Sequence, residues 1–312
     1  MMQKKLLSSI IFLGIITSSC SNETSTKSHL GDSVNEITNV PENNVENDPT
    51  SNTAYDTSEL SFQYTCNPET HIYAQVPVPF EEICQSLTEL EVLFFEHFGS
   101  TPILGDHNNN RDLYIYKDRE SYLAQDFNVS SYGKYIEKDP NDIDSHGEIY
   151  SYLLDNGNVK NQNHEYIHYL DGRFNKEGDY YATDMAAWWT EGVAEYMQHL
   201  HWGVASTFIK ESIKYYGGDF SLKTIFSLTK SDYKTDYFNL VYDGGNVALC
   251  FFLQEEPEAI STLLSYSRSG NWSAWASELD KLSTVYGESF DAFVKDIFAG
   301  KKVCHLNDHK AA

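Results

Sequence analysis

Apolar and polar residues follow two different spacings along this chain, and each spacing predicts a different kind of element. Over residues 80–98 apolar side chains recur every three or four positions, which predicts an amphipathic helix. Three short segments instead predict strands. The first alternates like a strand, and the other two are rich in aromatic and β-branched residues and are bounded by Gly, Asp and Asn. These segments are residues 113–116, 132–137 and 148–154.

The helical spacing takes over from residue 158 onward. It predicts one helix that ends near residue 170 and a second that ends near residue 201. Six further helical segments are predicted at residues 204–216, 220–229, 238–254, 257–267, 272–282 and 288–299. A small sheet followed by a mainly helical half predicts an α+β fold, with an N-terminal sheet sub-domain and a helical C-terminal sub-domain.

The first twenty residues have the features of an export signal. Two lysines precede an apolar run at residues 6–16 that is too short to span a membrane. Small residues then lead into Cys20, as at a bacterial lipoprotein processing site, although Thr17 stands where such sites usually carry Leu. We therefore expect an exported protein. It is either anchored in the cell envelope by a lipid on Cys20, at the outer membrane, or cleaved nearby and secreted.

Composition divides the rest of the chain. Residues 21–58 are rich in Asn, Ser, Thr and Glu, so they cannot bury enough apolar surface to fold and are predicted to be a disordered linker. Residues 59–305 are long enough for one large domain, and residues 306–312 form a short tail. The formal net charge of −24 argues against nucleic acid as a partner, because phosphate binding requires a basic surface.

Four cysteines besides Cys20 suit an exported protein, in which an even number allows disulfides. Of the three pairings, Cys66–Cys84 is favoured because Cys66 lies in a loop-like segment just before the helix that carries Cys84. That choice leaves Cys250 to pair with Cys304 and to fasten the C-terminal segment to a core helix. The alternative is that Cys250 is only a small buried apolar residue.

The strongest chemical signal is the sequence His-Glu-Tyr-Ile-His at residues 164–168. On a helix, His164 and His168 lie on one face, so both imidazoles can bind one tetrahedral metal ion. Glu165 is adjacent and can act as a base on water without binding the metal. With 11 histidines in the chain, the pattern could also arise by chance, so a third ligand is needed to decide.

A third ligand is available about twenty residues later, in the segment 188–196. The loop at residues 171–183 is long enough to reverse the chain, so a second helix can pack antiparallel to the first and present Glu191 to the metal. Glu195, one helical turn later on the same face, could accept the second ring N–H of a metal-bound histidine. The alternative, that both glutamates are solvated, fits poorly with the apolar residues interleaved with them.

Residues 164–174 and 188–196 resemble the catalytic core of the bacterial collagenases, a family of gluzincin zinc metallopeptidases. Weaker matches extend the resemblance over most of the predicted domain. They lie at residues 112–116, 133–137 and 241–245. The resemblance implies a gluzincin peptidase fold, in which an active-site helix follows a small sheet and precedes a helical sub-domain.

The resemblance also implies roles for individual residues. It implies that His164, His168 and Glu191 bind Zn²⁺ and that Glu165 is the general base. The family binds a calcium ion near its zinc helix as well. Glu137 falls where the family places a calcium-binding carboxylate, so Ca²⁺ is a second expected cofactor.

A further catalytic group is predicted from its surroundings. Peptide hydrolysis needs a second electrophile besides zinc, because negative charge develops on the carbonyl oxygen. Tyr242 is the candidate, since it lies between apolar residues 240–241 and the glycines at 244–245, where a substrate could approach closely. With 22 tyrosines in the chain, packing is the alternative role for Tyr242. His199 is a weaker candidate that could simply face solvent.

Together these patterns predict a zinc-dependent endopeptidase that acts, as a monomer, on extracellular protein or peptide substrates of the gelatin type. Collagen-degrading members of the family carry additional helical and collagen-binding domains, for which 312 residues leave no room. A single Gly133 also stands where the family usually has paired glycines, and both differences disfavour native collagen. The alternatives are a non-catalytic envelope lipoprotein that uses the fold for binding, and a true collagenase that acts on native collagen.

Overall fold

Most of the predicted domain can be followed in the computed structural model of the chain. The structure describes residues 57–99, 101–104, 106, 109–125, 127, 132–136, 146–174, 186–204, 206 and 208–304. All of them belong to one unit, Pro49–Ala312. The predicted export signal with Cys20, most of the predicted linker, Glu137 and the predicted tail lie outside the described residues, so these stay predictions.

Five strands form one mixed sheet in the described part of the chain. They are β1 (Phe62–Asn67), β2 (Thr70–Ala74), β3 (Arg111–Tyr116), β4 (Lys134–Ile136) and β5 (Gly147–Tyr152). The spatial order is β1-β2-β3-β5-β4. The three central strands run parallel, and β1 and β4 join them antiparallel at the two edges. The three predicted strands are confirmed, with their ends shifted by a few residues.

The hairpin of β1 and β2 was not predicted. The side chains of β1 are mostly exposed, so this strand carries little of the apolar pattern that marks a strand in a sequence. Strand β2 does alternate buried and half-buried residues, but it has only five of them. Pairing with the buried strand β3 stabilises the hairpin, and that contact is not visible in the local sequence.

Nine α-helices follow or flank the sheet in the described residues. They are α1 (Phe80–Phe98), α2 (Arg119–Leu123), α3 (Gln162–Gly172), α4 (Ala187–Trp202), α5 (Phe208–Tyr216), α6 (Leu222–Ser227), α7 (Gly245–Glu255), α8 (Pro257–Ser269) and α9 (Trp272–Phe298). A π-helical turn, Leu240–Gly244, leads into α7. The predicted α+β class is confirmed. None of these helices is both long and apolar enough to cross a lipid bilayer.

Helix α9 corrects one expectation. The sequence predicted two segments, at residues 272–282 and 288–299, whereas the structure has one continuous helix. Gly287 lies in the interval and does not break the helix. Leu282 before it and Phe290 after it are both buried in the same core, so packing on each side holds the intervening turn helical.

The two faces of the sheet differ in chemistry. Ile72, Leu113 and Ile149 are register partners on one face and are fully buried in the main core. Because successive residues of a strand point to opposite faces, the residues between them lie on the other face. There Tyr114 stacks between Tyr73 and Tyr150, with ring centroids 5.3 and 4.8 Å apart.

Both favoured disulfides are present. Cys66 of β1 is bonded to Cys84 of α1, which fastens the edge hairpin to the first helix. Cys250 of α7 is bonded to Cys304, which lies beyond α9. The second bond therefore ties the end of the described chain to a helix that is buried over residues 245–252.

We expect loss of the Cys250–Cys304 bond to cost more stability than loss of Cys66–Cys84. The two bonds join residues 54 and 18 positions apart, respectively. In the chain-entropy model these loops correspond to about 4 and about 3 kcal/mol, because the longer loop restricts the unfolded chain more. Urea unfolding of the two double-alanine variants measures both losses. Midpoints equal to that of the unaltered protein would contradict a stabilising role for either bond.

Candidate metal centre

Helices α3 and α4 pack antiparallel, as the sequence predicted. Near the end of α3, Asp171 accepts a hydrogen bond from the indole N–H of Trp189, at the start of α4 (3.2 Å). Near the start of α3, Nδ1 of His164 lies 3.2 Å from a carboxylate oxygen of Glu195, two turns further along α4. This pairing brings the His-Glu-Tyr-Ile-His segment alongside the glutamates of α4.

A buried arginine joins α3 to the sheet and to α1. Arg111 of β3 forms an ion pair with Glu91 of α1 (3.0 Å), and the Tyr166 hydroxyl of α3 donates to the same carboxylate (2.9 Å). Arg111 also donates to the Tyr169 hydroxyl (3.4 Å). Its guanidinium lies over the Tyr166 and Tyr169 rings, at 5.6 and 5.2 Å from their centroids. These contacts fix the position of α3 relative to the strands.

Three predicted ligands converge at the contact between the two helices. Nε2 of His164 and Nε2 of His168 lie 3.1 and 3.5 Å from the same carboxylate oxygen of Glu191. The two imidazole rings are 4.7 Å apart and nearly perpendicular. The three ligand atoms lie within 4.8 Å of one another, and all three residues are buried. The spacing of i and i+4 on α3 and the position on α4 therefore produce the predicted cluster.

The donor set fits a zinc ion. Two imidazole nitrogens and one carboxylate oxygen, with room for one more ligand, are typical of catalytic zinc sites. Burial by itself would raise the pKa of Glu191, but the charge of His168 and hydrogen bonds with both histidines lower its pKa to about 2. Glu191 is thus held as a carboxylate at a buried point where a cation would be strongly bound.

Glu195 and Gln198 hold His164 from the side away from the cluster. One oxygen of Glu195 faces His164 Nδ1 and the other lies 3.4 Å from His199 Nε2. Gln198 donates to Glu195 (2.8 Å). Burial raises the pKa of Glu195, but its contacts with the two histidines have the larger combined effect and lower it. Contacts of this kind set the orientation of a ligating ring, so that Nε2 faces the metal.

Two of these residues depart from expectation. His199 was expected to face solvent as an alternative to a catalytic role, whereas it is mostly enclosed and packs its ring against Trp202 at 5.5 Å. Gln198 was not singled out. Its position in the sequence could have indicated its role. Glu191, Glu195 and Gln198 stand at i, i+4 and i+7 and therefore share one face of α4.

Glu165 lies between the candidate ligands and the edge strand β4. It is buried, and burial raises the pKa of its carboxyl group above the ordinary value. The backbone N–H of Tyr135 in β4 donates to this carboxylate. A Cβ atom at Gly133 would lie 2.6 Å from Glu165 Oε1, which is closer than real Cβ contacts. Glycine at position 133 therefore leaves the space that the Glu165 side chain occupies.

Tyr242 reaches the cluster from a third element. It lies in the π-helical turn that precedes α7, and such turns often accompany functional sites. Its ring stacks on His164, with centroids 6.0 Å apart and planes 21° apart. Its hydroxyl is hydrogen-bonded to Glu191, and burial raises its pKa well above the ordinary value. The structure therefore brings Tyr242 together with the predicted ligands.

A glycine contact sets the distance between this turn and α4. A Cβ atom on Gly245 would lie 2.2 Å from the carbonyl oxygen of Trp188, and one on Gly192 would lie 2.5 Å from the carbonyl carbon of Gly245. The backbones of α4 and α7 thus touch where Gly192 follows Glu191. Because Tyr242 lies just before α7, this close approach of α7 to α4 brings Tyr242 into contact with the cluster.

Asp243, beside Tyr242, is expected to make stability depend on pH. It is buried and accepts a hydrogen bond from Ser212, and burial raises its pKa to about 7. The unfolded value is about 3.9, so between about pH 4 and 7 the folded protein binds more protons than the unfolded chain. This group therefore makes the free energy of unfolding fall as pH rises through that interval.

Asp243→Asn removes the ionisation and can still accept the Ser212 hydrogen bond. Relative to the unaltered protein, the variant should gain on the order of 2 kcal/mol of stability between pH 5 and pH 8. Urea unfolding of both proteins across this range measures the difference. A stability difference that does not change with pH would contradict the raised pKa of Asp243.

An α+β fold with two histidines and a glutamate on paired helices, and a second glutamate beside the first histidine, is the arrangement typical of metallopeptidases. A family model described as collagenase, peptidase family M9, matches residues 26–293. The chain therefore belongs to the collagenase family of peptidases.

Three relatives carry the name microbial collagenase. The protein from Vibrio parahaemolyticus is 32% identical over 222 residues, which cover 67% of this chain and 26% of the relative. The protein from Vibrio vulnificus is 30% identical over 230 residues, covering 69% and 27%. The protein from Vibrio alginolyticus is 28% identical over 246 residues, covering 74% and 29%. The matched part thus spans little more than a quarter of the length of these relatives.

Proposed function

We propose that this chain is a zinc-dependent endopeptidase that hydrolyses extracellular protein or peptide substrates of the gelatin type. One observation carries the proposal. Nε2 of His164 and Nε2 of His168 converge on one oxygen of Glu191, while the carboxylate of Glu165 lies beside them against the edge of the sheet. These positions support a site in which zinc ligands, a general base and a strand edge for the substrate lie together.

His164, His168 and Glu191 would hold the zinc ion. When bound, zinc supplies a Lewis acid that polarises a peptide carbonyl and makes water a stronger nucleophile at neutral pH. Glu195 and Gln198 keep the His164 ring in the orientation that the ion requires, because they contact the Nδ1 side of the ring.

Glu165 would act as the general base of the reaction. Its carboxylate can accept a proton from the water molecule that attacks the substrate carbonyl, and can then deliver that proton to the amine of the departing product. The N–H of Tyr135 holds the carboxylate close to β4 by a hydrogen bond, and the lack of a side chain at Gly133 leaves the space that the carboxylate fills. An extended peptide added along this edge strand would therefore lie next to the base.

Tyr242 is expected to stabilise the negative charge on the substrate carbonyl oxygen. Tyr242→Phe should lower kcat by about 100-fold, because it removes one hydrogen-bond donor to that oxygen. KM and zinc content should stay close to those of the unaltered protein, since the ring still packs on His164. Initial rates on a gelatin-derived peptide measure the effect, with the exposed Tyr215→Phe as the matched control. An unchanged kcat in Tyr242→Phe would mean that Tyr242 only packs against His164 and does not take part in catalysis.

Zinc dependence and substrate class can be tested together. The chain is freed of metal with a chelator, reloaded with Zn²⁺ and incubated with gelatin and casein. We expect fragments on a denaturing gel only after reloading, and no recovery with Ca²⁺ alone. A folded, zinc-loaded protein that cleaves neither substrate would favour the alternative of a non-catalytic binding module.

The name of the relatives raises native collagen as an alternative substrate. We propose denatured collagen instead, because an edge strand binds an extended single chain and not a triple helix. Incubation with triple-helical and heat-denatured collagen side by side separates the two. Equal cleavage of both would overturn the preference.

We also propose that the enzyme acts outside the cytoplasm, anchored through a lipid on Cys20 or secreted, and as a monomer. The apolar run before Cys20 supports export. Metabolic labelling with a fatty acid tests the anchor, with Cys20→Ser as the variant that should lose the label. Label retained in Cys20→Ser would contradict lipidation at this residue.

A further inference from the structure

A second group of side chains that could bind a metal ion lies on the face of the sheet opposite the main core. His71 of β2 and Asp112 of β3 are register partners. His146 directly precedes β5, two residues before Glu148, which is the register partner of Asp112 on that strand. Since alternate residues of a strand share a face, the three side chains project from the same side of the sheet.

The geometry of this group suits a single cation. Nδ1 of His71 lies 3.2 Å from one oxygen of Asp112, and Nδ1 of His146 lies 3.0 Å from the other. The two imidazole rings are stacked, with centroids 6.0 Å apart. All three ligand atoms lie within 4.8 Å of one another. In a tetrahedral zinc site with bonds of about 2.0 Å, neighbouring ligand atoms are about 3.3 Å apart.

Packing of the main core does not explain why histidine and aspartate occupy these three positions. Ile72 and Leu113, the next residues along, fill the main core on the other face. Asp112 is buried, and in the described part of the chain the two imidazoles are its ion-pairing neighbours. The Tyr114 hydroxyl donates to Asp112 at 3.4 Å and helps to orient it. A bound cation would compensate the charge of this buried carboxylate.

We propose that His71, Asp112 and His146 form a second metal site, which takes a divalent transition-metal cation such as Zn²⁺ and fastens three strand segments together. Two nitrogen donors and one oxygen donor suit zinc, cobalt or nickel, whereas calcium and magnesium prefer oxygen donors alone. The histidine side chains are 27% and 32% exposed, so water can complete the coordination. We assign the site a structural role, because its ligands come from β2, from β3 and from the residue before β5.

The position of the group separates it from the candidate catalytic centre. Arg111, beside Asp112 in β3, points to the other face and contacts α3 through Tyr169. The second site therefore lies across the sheet from α3, and its ligands do not contact His164, Glu165 or Glu191. Because the ligands come from residues far apart in sequence, a bound ion would stabilise the folded sheet but not the unfolded chain.

Metal stoichiometry tests the site directly. The full chain is freed of metal, dialysed against buffered Zn²⁺ and analysed for zinc by mass spectrometry. We expect about two zinc ions per chain for the unaltered protein and about one for His146→Gln. Gelatin cleavage by His146→Gln should stay within about two-fold of the unaltered rate, because the catalytic centre keeps its ion. His97→Gln, which changes a histidine of α1 outside the group, should still bind two.

Thermal unfolding supplies a second measurement. The second equivalent of Zn²⁺ should raise the unfolding temperature of the unaltered protein but not that of His146→Gln, and Ca²⁺ should not substitute. Asp112→Asn keeps the shape of the side chain and an acceptor for Tyr114. If His146→Gln fails to fold by circular dichroism, the same loss of one zinc ion is expected in Asp112→Asn.

The outcomes distinguish this site from the proposed function. One zinc ion per chain in a fully active protein would overturn the second site and leave the peptidase standing. Two zinc ions retained in both folded His146→Gln and Asp112→Asn would also overturn it. Two zinc ions in the unaltered protein, one in His146→Gln and no hydrolysis by either would support the second site while counting against the peptidase.

Discussion

Glu165→Gln should leave the protein folded and able to bind zinc but should lower kcat/KM for gelatin peptides by at least about 100-fold. The amide has the same shape as the carboxyl group, so it fits the space beside Gly133 without displacing β4. It cannot accept the proton of the attacking water. His164, His168 and Glu191 are unchanged, so the affinity for zinc should be nearly unchanged. Initial rates and zinc content, measured on the same preparation, give both quantities.

The matched control is Glu82→Gln, which makes the same chemical change at an exposed position in α1. We expect its activity to equal that of the unaltered protein. A Glu165→Gln protein that binds zinc and retains more than about a tenth of the activity would show that another group is the base. Loss of zinc from this variant would instead mean that Glu165 helps to hold the ion.

Gly245→Ala should be the most destabilising single methyl addition in the helical half. Its Cβ atom would lie 2.2 Å from the carbonyl oxygen of Trp188, and the neighbour is backbone that cannot rotate away. Overpacking of a core typically costs about 1–3 kcal/mol, and contact with a rigid backbone places this case at about 3 kcal/mol or more. Because α7 must move away from α4, Tyr242 should also leave His164 and activity should fall.

Gly287→Ala in α9 is the control, because in the described part of the chain nothing beyond the adjoining residues and backbone of α9 itself lies within 4 Å of the added methyl group. Alanine is favoured over glycine in a helix, so this variant should be more stable by about 0.5–1 kcal/mol. Urea unfolding compares the two variants. Equal stability of Gly245→Ala and the unaltered protein would mean that the helices do not cross as closely as described.

Gly192→Ala strains the same crossing of α4 and α7. The double variant, Gly192→Ala with Gly245→Ala, should therefore lose less stability than the sum of the two single losses.

The parts of this structure that local spacing determines were predictable. The amphipathic spacing gave α1 with both of its ends, Phe80 and Phe98. The i, i+4 histidines and the glutamates of α4 predicted a cluster in which the two histidine nitrogens lie 3.1 and 3.5 Å from one oxygen of Glu191. Tyr242 was singled out because of the glycines that follow it, and Gly245 is indeed the contact that brings its turn against α4.

Apart from the two disulfides and the pairing of α3 with α4, contacts between distant segments were not predictable from one sequence. Gly192 and Gly245 belong to different helices, and neither glycine by itself indicates which backbone it touches. Arg111 is an unremarked charged residue in the sequence, yet it is buried and joins β3 to α1 and α3. Pairing of β2 with β3 creates the group of His71, Asp112 and His146, whose members have no common sequence signal. Such features follow from topology, which local patterns do not encode.

The most direct test is mass spectrometry of the products that the zinc-loaded chain forms from a mixed peptide library. We expect new amino termini at internal peptide bonds, their loss on chelation, their return with Zn²⁺, and their absence with Glu165→Gln. Internal cleavage also distinguishes an endopeptidase from an enzyme that trims chain ends. If the folded chain with zinc bound at His164, His168 and Glu191 leaves every peptide of the library intact, the proposal of a zinc endopeptidase is wrong.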